Sequence, residues 1–228
     1  MPELELAEKD AWDGWFPPTS DRMQVSANLS IDYVDIDGNE TSRDVDVRYV
    51  SYWGEELVIN AYCRLRHANR TFRASRIDSC VDRDTGEYIE DLSSELLTRY
   101  RKSETGVLDA FFSANQDVLK VLMYVAKADG RFTRKERAIV AGTVRAFTKD
   151  KRLTDKSILK QFETVTPPSI GAFKLAVGRL SNRSLFDRKV LLRSVELMVS
   201  SDVTKFEAER LAVSYVAKRF DLQSDVRN

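Results

Sequence analysis

From Leu29 the chain alternates, with Leu29, Ile31 and Tyr33 set against Ser30 and Asp32, the period of a half-buried strand. Asp37-Gly38 is a turn signal, and Val45, Val47 and Tyr49 then alternate with Asp44, Asp46 and Arg48 to complete a hairpin. The pattern predicts a third strand from about Leu57 to Arg66 and a fourth from Thr71 to Val81. The turn residues Asp84-Thr85-Gly86 lead into a fifth at Tyr88 and Ile89. Five short strands this close together predict a small barrel, since closure removes exposed edges. Beyond Leu92 the period changes to 3.6, and helices are expected at about 92–102, 106–128, 133–148, 154–165, 169–181, 184–200 and 204–221. Pro167-Pro168 separates two of them, and Gly130 stands where a left-handed residue would end another.

The predicted fold class is α+β and multidomain, a small β-barrel followed by an all-α helical bundle. The expected divisions are an N-terminal arm at 1–27, the barrel at 28–91, a helical linker at 92–105 and the helical domain at 106–228. Trp12, Trp15 and Phe16 precede Pro17-Pro18 in the arm, either stapling it to the first domain or docking it on a partner. Charge divides the chain in the same place. Residues 1–91 hold ten basic and twenty acidic groups, residues 92–228 twenty-six and sixteen, although the whole is formally neutral. Cys63 and Cys80 lie in apolar, strand-like surroundings without metal-site spacing, which reads as two reduced core thiols. With no apolar run of about 18 residues and no apolar leader, the expectation is a cytoplasmic protein without a membrane partner.

The first 63 residues carry fourteen acids and four cations; then Arg64, Arg66, Arg70, Arg73 and Arg76 follow with no acid among them, and with the only histidine, His67. Alternation in the third strand turns Ile59, Ala61, Cys63 and Leu65 inward, so that Tyr62, Arg64 and Arg66 share the outer face. Phe72 and Ile77 are both core candidates of opposite parity, which implies a bulge between them. A guanidinium is a planar fork of donors suited to phosphate or carboxylate. Two readings are open: a solvated face paired with the acids of the first hairpin, or an anion site. The acid-free run favours the second.

The string Ala61-Tyr62-Cys63-Arg64-Leu65-Arg66, followed by Arg70-Thr71-Phe72-Arg73-Ala74-Ser75-Arg76-Ile77, resembles the WYL domain over residues 28–91. The resemblance implies an Sm-like or SH3-like barrel from a bacterial regulator. It also implies that Tyr62, Arg64, Arg66, Arg70, Arg73 and Arg76 bind single-stranded nucleic acid or a nucleotide-like anion. Leu57-Val58-Ile59 stands where the family has Trp-Tyr-Leu, and Ser75 where it has Asp. About 27 residues before the barrel are too few for the winged helix that usually reads DNA in this family.

The helical half repeats at an offset of 73. Asp129, Glu136 and Phe147 correspond to Asp202, Glu209 and Phe220, and Leu119, Leu122 and Val125 to Leu192, Val195 and Met198. A duplicated helix–turn–helix hairpin is expected. Val125-Ala126-Lys127-Ala128-Asp129-Gly130 followed by Glu136 resembles the TerB-like family of tellurite-resistance proteins, with residues 183–222 as a fainter copy. That resemblance implies divalent metal near the acidic turns and a role in stress response. The spacing itself turns Asp129 and Glu136 inward at one turn, where they could hold a hard cation. Thr133-Arg134-Lys135-Glu136 is equally a capping box, and this structural role is preferred.

One histidine excludes a two-histidine metal centre, and no phosphate loop, nucleophile elbow or dinucleotide fingerprint occurs. The expectation is a non-enzymatic sensor or adaptor without a cofactor, save a possible divalent cation. Its barrel takes an anionic ligand and its helical half relays this to an unidentified protein partner. The alternatives are a ligand-free interaction scaffold and a metal-dependent enzyme that cleaves phosphodiesters.

Overall fold

The computed structural model describes residues 22–127, 131–163, 165–201 and 207–222. The expectations for Trp12, Trp15, Phe16 and Asp129 fall outside these residues. The architecture is α+β: a five-stranded antiparallel sheet, then eight helices among the described residues. The chain divides into two compact units, the first ending at Gly106 and the second beginning at Val107.

In the first unit the strands are β1 (Met23–Val34), β2 (Glu40–Trp53), β3 (Glu56–Cys63), β4 (Ala68–Arg73) and β5 (Ile77–Asp82), in the order β4-β3-β2-β1-β5. The sheet starts at Met23, inside the expected arm, because Val25 and Ala27 already face the core. Alternation places Leu29, Ile31, Val45, Val47, Ile59, Ala61 and Cys63 inside as expected, joined by Phe72 and Cys80.

Three expectations change here. The single strand foreseen over 71–81 is two strands separated by a 3-10 turn, Ala74–Arg76, and this turn rather than a bulge reconciles the parity of Phe72 and Ile77. The fifth strand foreseen at Tyr88-Ile89 is only a bridge, Val81 with Tyr88. That returning segment also bonds Glu87 O and Ile89 N to the backbone of β5. It thereby covers part of the edge that closure would have given to β4, and the sheet is not closed: β4 and β5 are its two edges.

The stretch foreseen as a linker forms helix α1 (Leu92–Lys102), capped by Asp91, whose carboxylate accepts from Ser94 N. Leu92 and Leu96 enter the core of the sheet. Arg99 donates to Asp82 at 2.7 Å and to Glu95 at 2.7 Å, tying the helix to the end of β5. The helix stops at Ser103, and Gly106 follows so close to the Tyr100 carbonyl oxygen that any Cβ there would collide with it.

Helix α2 (Glu104–Ala114) leads into the second unit, with α3 (Gln116–Ala126), α4 (Arg134–Thr148), α5 (Asp155–Phe162), α6 (Ile170–Leu180), α7 (Leu185–Ser201) and α8 (Glu207–Phe220). The one helix expected over 106–128 is broken at Asn115. The Asn115 amide donates to Phe111 O and accepts from Arg183, which also donates to Ala114 O. Arg183 thus serves the Ala114 carbonyl, which a continuous helix would have used, while Phe111 O keeps its helical bond from Asn115 N at 2.9 Å. The break lets Phe111 meet Phe147 and Phe112 meet Phe162. Residues 73 apart are buried alike: Leu119 and Leu192, Leu122 and Val195, Val125 and Met198, Glu136 and Glu209.

Candidate anion-binding cleft

The arginine-rich hairpin differs from the expected alternation because β3 stops at Cys63. Residues 64–67 form a turn that ends on His67 in the left-handed region, φ 51°. Leu65, expected inside, is therefore exposed, and Arg64 and Arg66 leave the turn in different directions. The Arg64 fork reaches Asp46 on β2, Nε at 3.1 and 3.2 Å and Nη2 at 3.1 Å. Arg83 approaches the same carboxylate at 3.5 Å. Tyr62 lies on that outer face too, opposite Asp46 and Asn69, with the Arg48 guanidinium 5.9 Å from its ring centroid. For Arg64 the pairing with an acid of the first hairpin is thus what the structure contains.

Arg66, Arg70, Arg73 and Arg76 come together in one cleft of about 280 Å³, joined by Arg43, Tyr33 and Phe72. Strand β4 explains the convergence. Arg70 sits opposite Ala61 on the core side, and Arg73 opposite Val58 on the outer side. An edge strand lets side chains from both faces curl around it, and the 3-10 turn brings Arg76 back alongside. Ser75 fixes that turn, its N and Oγ each donating to the Glu56 carboxylate at 3.1 Å.

Sequence reasoning missed Arg43 and Tyr33. Arg43 pairs with Ile31 and so occupies an inward position of β2, two residues before Val45. An arginine at an inward position was the available signal. Its Nε donates to Thr41 Oγ1 at 2.9 Å, and its guanidinium lies 5.7 Å from the Tyr33 ring and 5.9 Å from that of Phe72. The two rings meet edge to face at 5.1 Å, giving the cleft an aromatic wall.

Two carboxylates border the cleft from the β1–β2 turn, Asp35 and Asp37. Asp35 is committed to the turn. Its carboxylate accepts from the Asn39 side chain and backbone and from Asp37 N, which hold it below the usual carboxylate range. Among the described residues Arg66 and Arg76 make no hydrogen bond or ion pair. The cleft therefore combines surplus positive charge, uncommitted guanidinium donors and aromatic surface. That combination fits a phosphate ester carrying a planar group.

Residues 23–81 match the family model of the WYL domain. This part of the chain is a WYL domain. No curated protein and no solved structure matches the chain. The two departures from the family pattern now have positions. Leu57-Val58-Ile59 is buried in the sheet, and Ser75 holds the 3-10 turn to Glu56.

The other candidate residues lie in the helical unit. Glu136 is buried, its Oε2 accepting from Thr133 N at 2.7 Å while Thr133 Oγ1 accepts from Glu136 N at 3.3 Å. The foreseen capping box is present. Among the described residues no group of three or more His, Cys, Asp or Glu could hold a metal ion. No helix among them is long and apolar enough to cross a membrane.

Proposed function

We propose that this WYL domain binds a phosphate-bearing anion, a single-stranded nucleic acid or a nucleotide, in the cleft of Arg43, Arg66, Arg70, Arg73 and Arg76. The protein then acts as a non-enzymatic sensor or adaptor. The observation that carries the reading is the convergence of five guanidiniums on one aromatic-walled cleft. WYL domains are associated with regulatory ligand-binding sensors, which agrees with it. In this reading the open sheet is an Sm-like or SH3-like barrel in topology, its two edge strands joined by the 3-10 turn. Binding is tested by anisotropy titration of labelled oligonucleotides and nucleotides at two salt concentrations. Affinity should fall as salt rises, since phosphate contacts release counterions; no binding at low salt refutes the proposal.

The helical unit is assigned the relay to a protein partner in the cytoplasm. Support comes from large apolar side chains left exposed on its helices, among them Leu175, Phe186 and Leu211. The same side chains favour the interaction-scaffold alternative. The TerB-like reading rests on the 73-residue repeat, in which Glu136 and Glu209 are both buried in the first turn of a helix. Co-purification with and without nuclease treatment separates the two readings, because a scaffold keeps its partner when nucleic acid is removed.

A further inference from the structure

On several sides where a neighbouring hollow shares a residue or the 3-10 turn with the cleft, carboxylates take over from its arginines. Through Tyr33 it adjoins a hollow lined by Asp32, Glu40 and Asp78 and, among the described residues, by no cation. Through Arg43 it adjoins another where Asp32 and Asp44 stand beside Arg64, whose fork is already on Asp46. Across the 3-10 turn lies a groove of about 450 Å³ with five carboxylates, those of Glu55, Glu56, Asp78, Glu90 and Asp91, and again no cation among the described residues. Asp35 and Asp37 stand on the fourth border. Proteins that hold the interior of a single strand do so in a basic groove that follows its backbone over several nucleotides. Here a strand leaving the cleft on any of these sides would pass over carboxylates.

A terminal phosphomonoester meets this geometry better than a bridging diester. It carries a charge of about −1.5 to −2 at pH 7 and offers three strong acceptor oxygens. A diester carries one charge and has two free oxygens. Five guanidiniums against two carboxylates leave a surplus suited to the doubly charged group, and the forks of Arg66 and Arg76 can address several oxygens at once. Building on the anion-binding proposal, we infer that the cleft recognises the terminal phosphomonoester of a nucleotide or of a single strand, and not the interior of a strand passing through it.

The full chain is titrated with internally labelled oligodeoxythymidines of one composition: linear with phosphorylated ends, linear with hydroxyl ends, and a closed circle. Thymidine monophosphate and thymidine are added as competitors. Phosphorylated ends should bind at least about tenfold tighter than hydroxyl ends or the circle, as expected for losing one charge-assisted contact. The salt slope, about 0.7 per phosphate contacted for single strands, should not grow with strand length. Competition by the monophosphate and not by thymidine extends the site to free nucleotides; competition by neither confines it to strand ends. A circle that binds as tightly as the phosphorylated strand, with a slope that steepens with length, overturns the inference while leaving anion binding intact. No binding of any probe, or binding unchanged in Arg70→Glu, overturns both.

Discussion

Arg64 and Arg66 are two residues apart in sequence and have different surroundings in the fold, which gives a sharp test of the cleft. Arg64 is half exposed, 51%, with its fork on Asp46. Surface pairs of this kind contribute about 0–1 kcal/mol. Arg64→Ala should therefore leave anion binding within about twofold of the unsubstituted protein and lower the melting temperature slightly. Arg66 and Arg76 line the cleft and make no ion pair among the described residues. Replacing either with alanine should not reduce stability. Each removes a charge-assisted contact with the ligand, a class worth about 1.5–3 kcal/mol. At the low end, suited to exposed groups, this is about tenfold in affinity per residue, and near one hundredfold for the double variant if the effects add. Anisotropy titration of a 5′-phosphorylated oligodeoxythymidine, beside thermal melts of each variant, measures both quantities. A loss in Arg64→Ala equal to that in Arg66→Ala would refute the partition, because the outer face would then be part of the site. Full affinity in the Arg66→Ala/Arg76→Ala double variant would remove the cleft from consideration.

The Asp82 carboxylate, almost fully buried, accepts from Arg99 and from the amides of Asp84 and Thr85. Burial opposes its charge, yet the Arg99 hydrogen bond and the two amides hold its pKa below the usual value. The stability it contributes is present above about pH 4, the ordinary carboxylate range, and is lost as pH falls through the lowered folded value; an Asp82→Asn variant should flatten that acid limb in pH-dependent melts. Asp82→Ala, which also orphans two amides, should cost about 1–3 kcal/mol in denaturant titrations. Glu136→Gln should be mild in a thermal melt, since an amide oxygen can still accept from Thr133 N, whereas Glu136→Ala should lose about 0.5–2 kcal/mol of capping; a melt raised by calcium, magnesium or manganese in the unsubstituted protein and not in Glu136→Gln would instead establish a metal site. Cys80 is buried, which with the nearby Asp82 charge pushes its thiol up to about 11; iodoacetamide at neutral pH should label it slowly in the native protein and quickly in urea.

Periodicity made much of this fold legible. The inward residues of β1, and of β2 as far as Val47, follow from alternation; past Val47 a register shift brings Val50 into the core in place of the expected Tyr49. Helices α4 to α7 begin and end within about three residues of the pattern. What periodicity could not place were departures caused by single contacts. The helix breaks at Asn115 where Arg183, held by the Asn115 amide oxygen, takes the Ala114 carbonyl, a partnership across 68 residues. The end of β3 at Cys63 was equally hidden, since Arg64-Leu65-Arg66 continues the alternation that the turn interrupts. In the site the arginines were legible as a composition and not as a geometry. Arg66, Arg70, Arg73 and Arg76 converge, while Tyr62 and Arg64 lie on another face. Arg43 went unnoticed because it lies outside the run.

The open sheet and the cleft are one feature seen from two sides. Strict alternation along β4 sends Arg70 and Arg73 to opposite faces, opposite Ala61 and Val58. In a fully closed barrel a β4–β5 ladder would lie between those faces and keep the two guanidiniums apart. Here the chain leaves the sheet through Ala74–Arg76, and residues 87–89 occupy part of the free edge of β5. Among the described residues no strand pairs with the outer edge of β4, so cations from both faces and from the turn reach a common space. An exposed edge is otherwise an aggregation hazard, and charged side chains are a usual defence. Arginines at that edge serve both purposes: they repel a second edge strand and present donors to an anion. Restoring the ladder, with apolar β-formers at Arg70 and Arg73, should therefore abolish the cleft and promote self-association together, a coupling that light scattering and anion titration on the same variant would test.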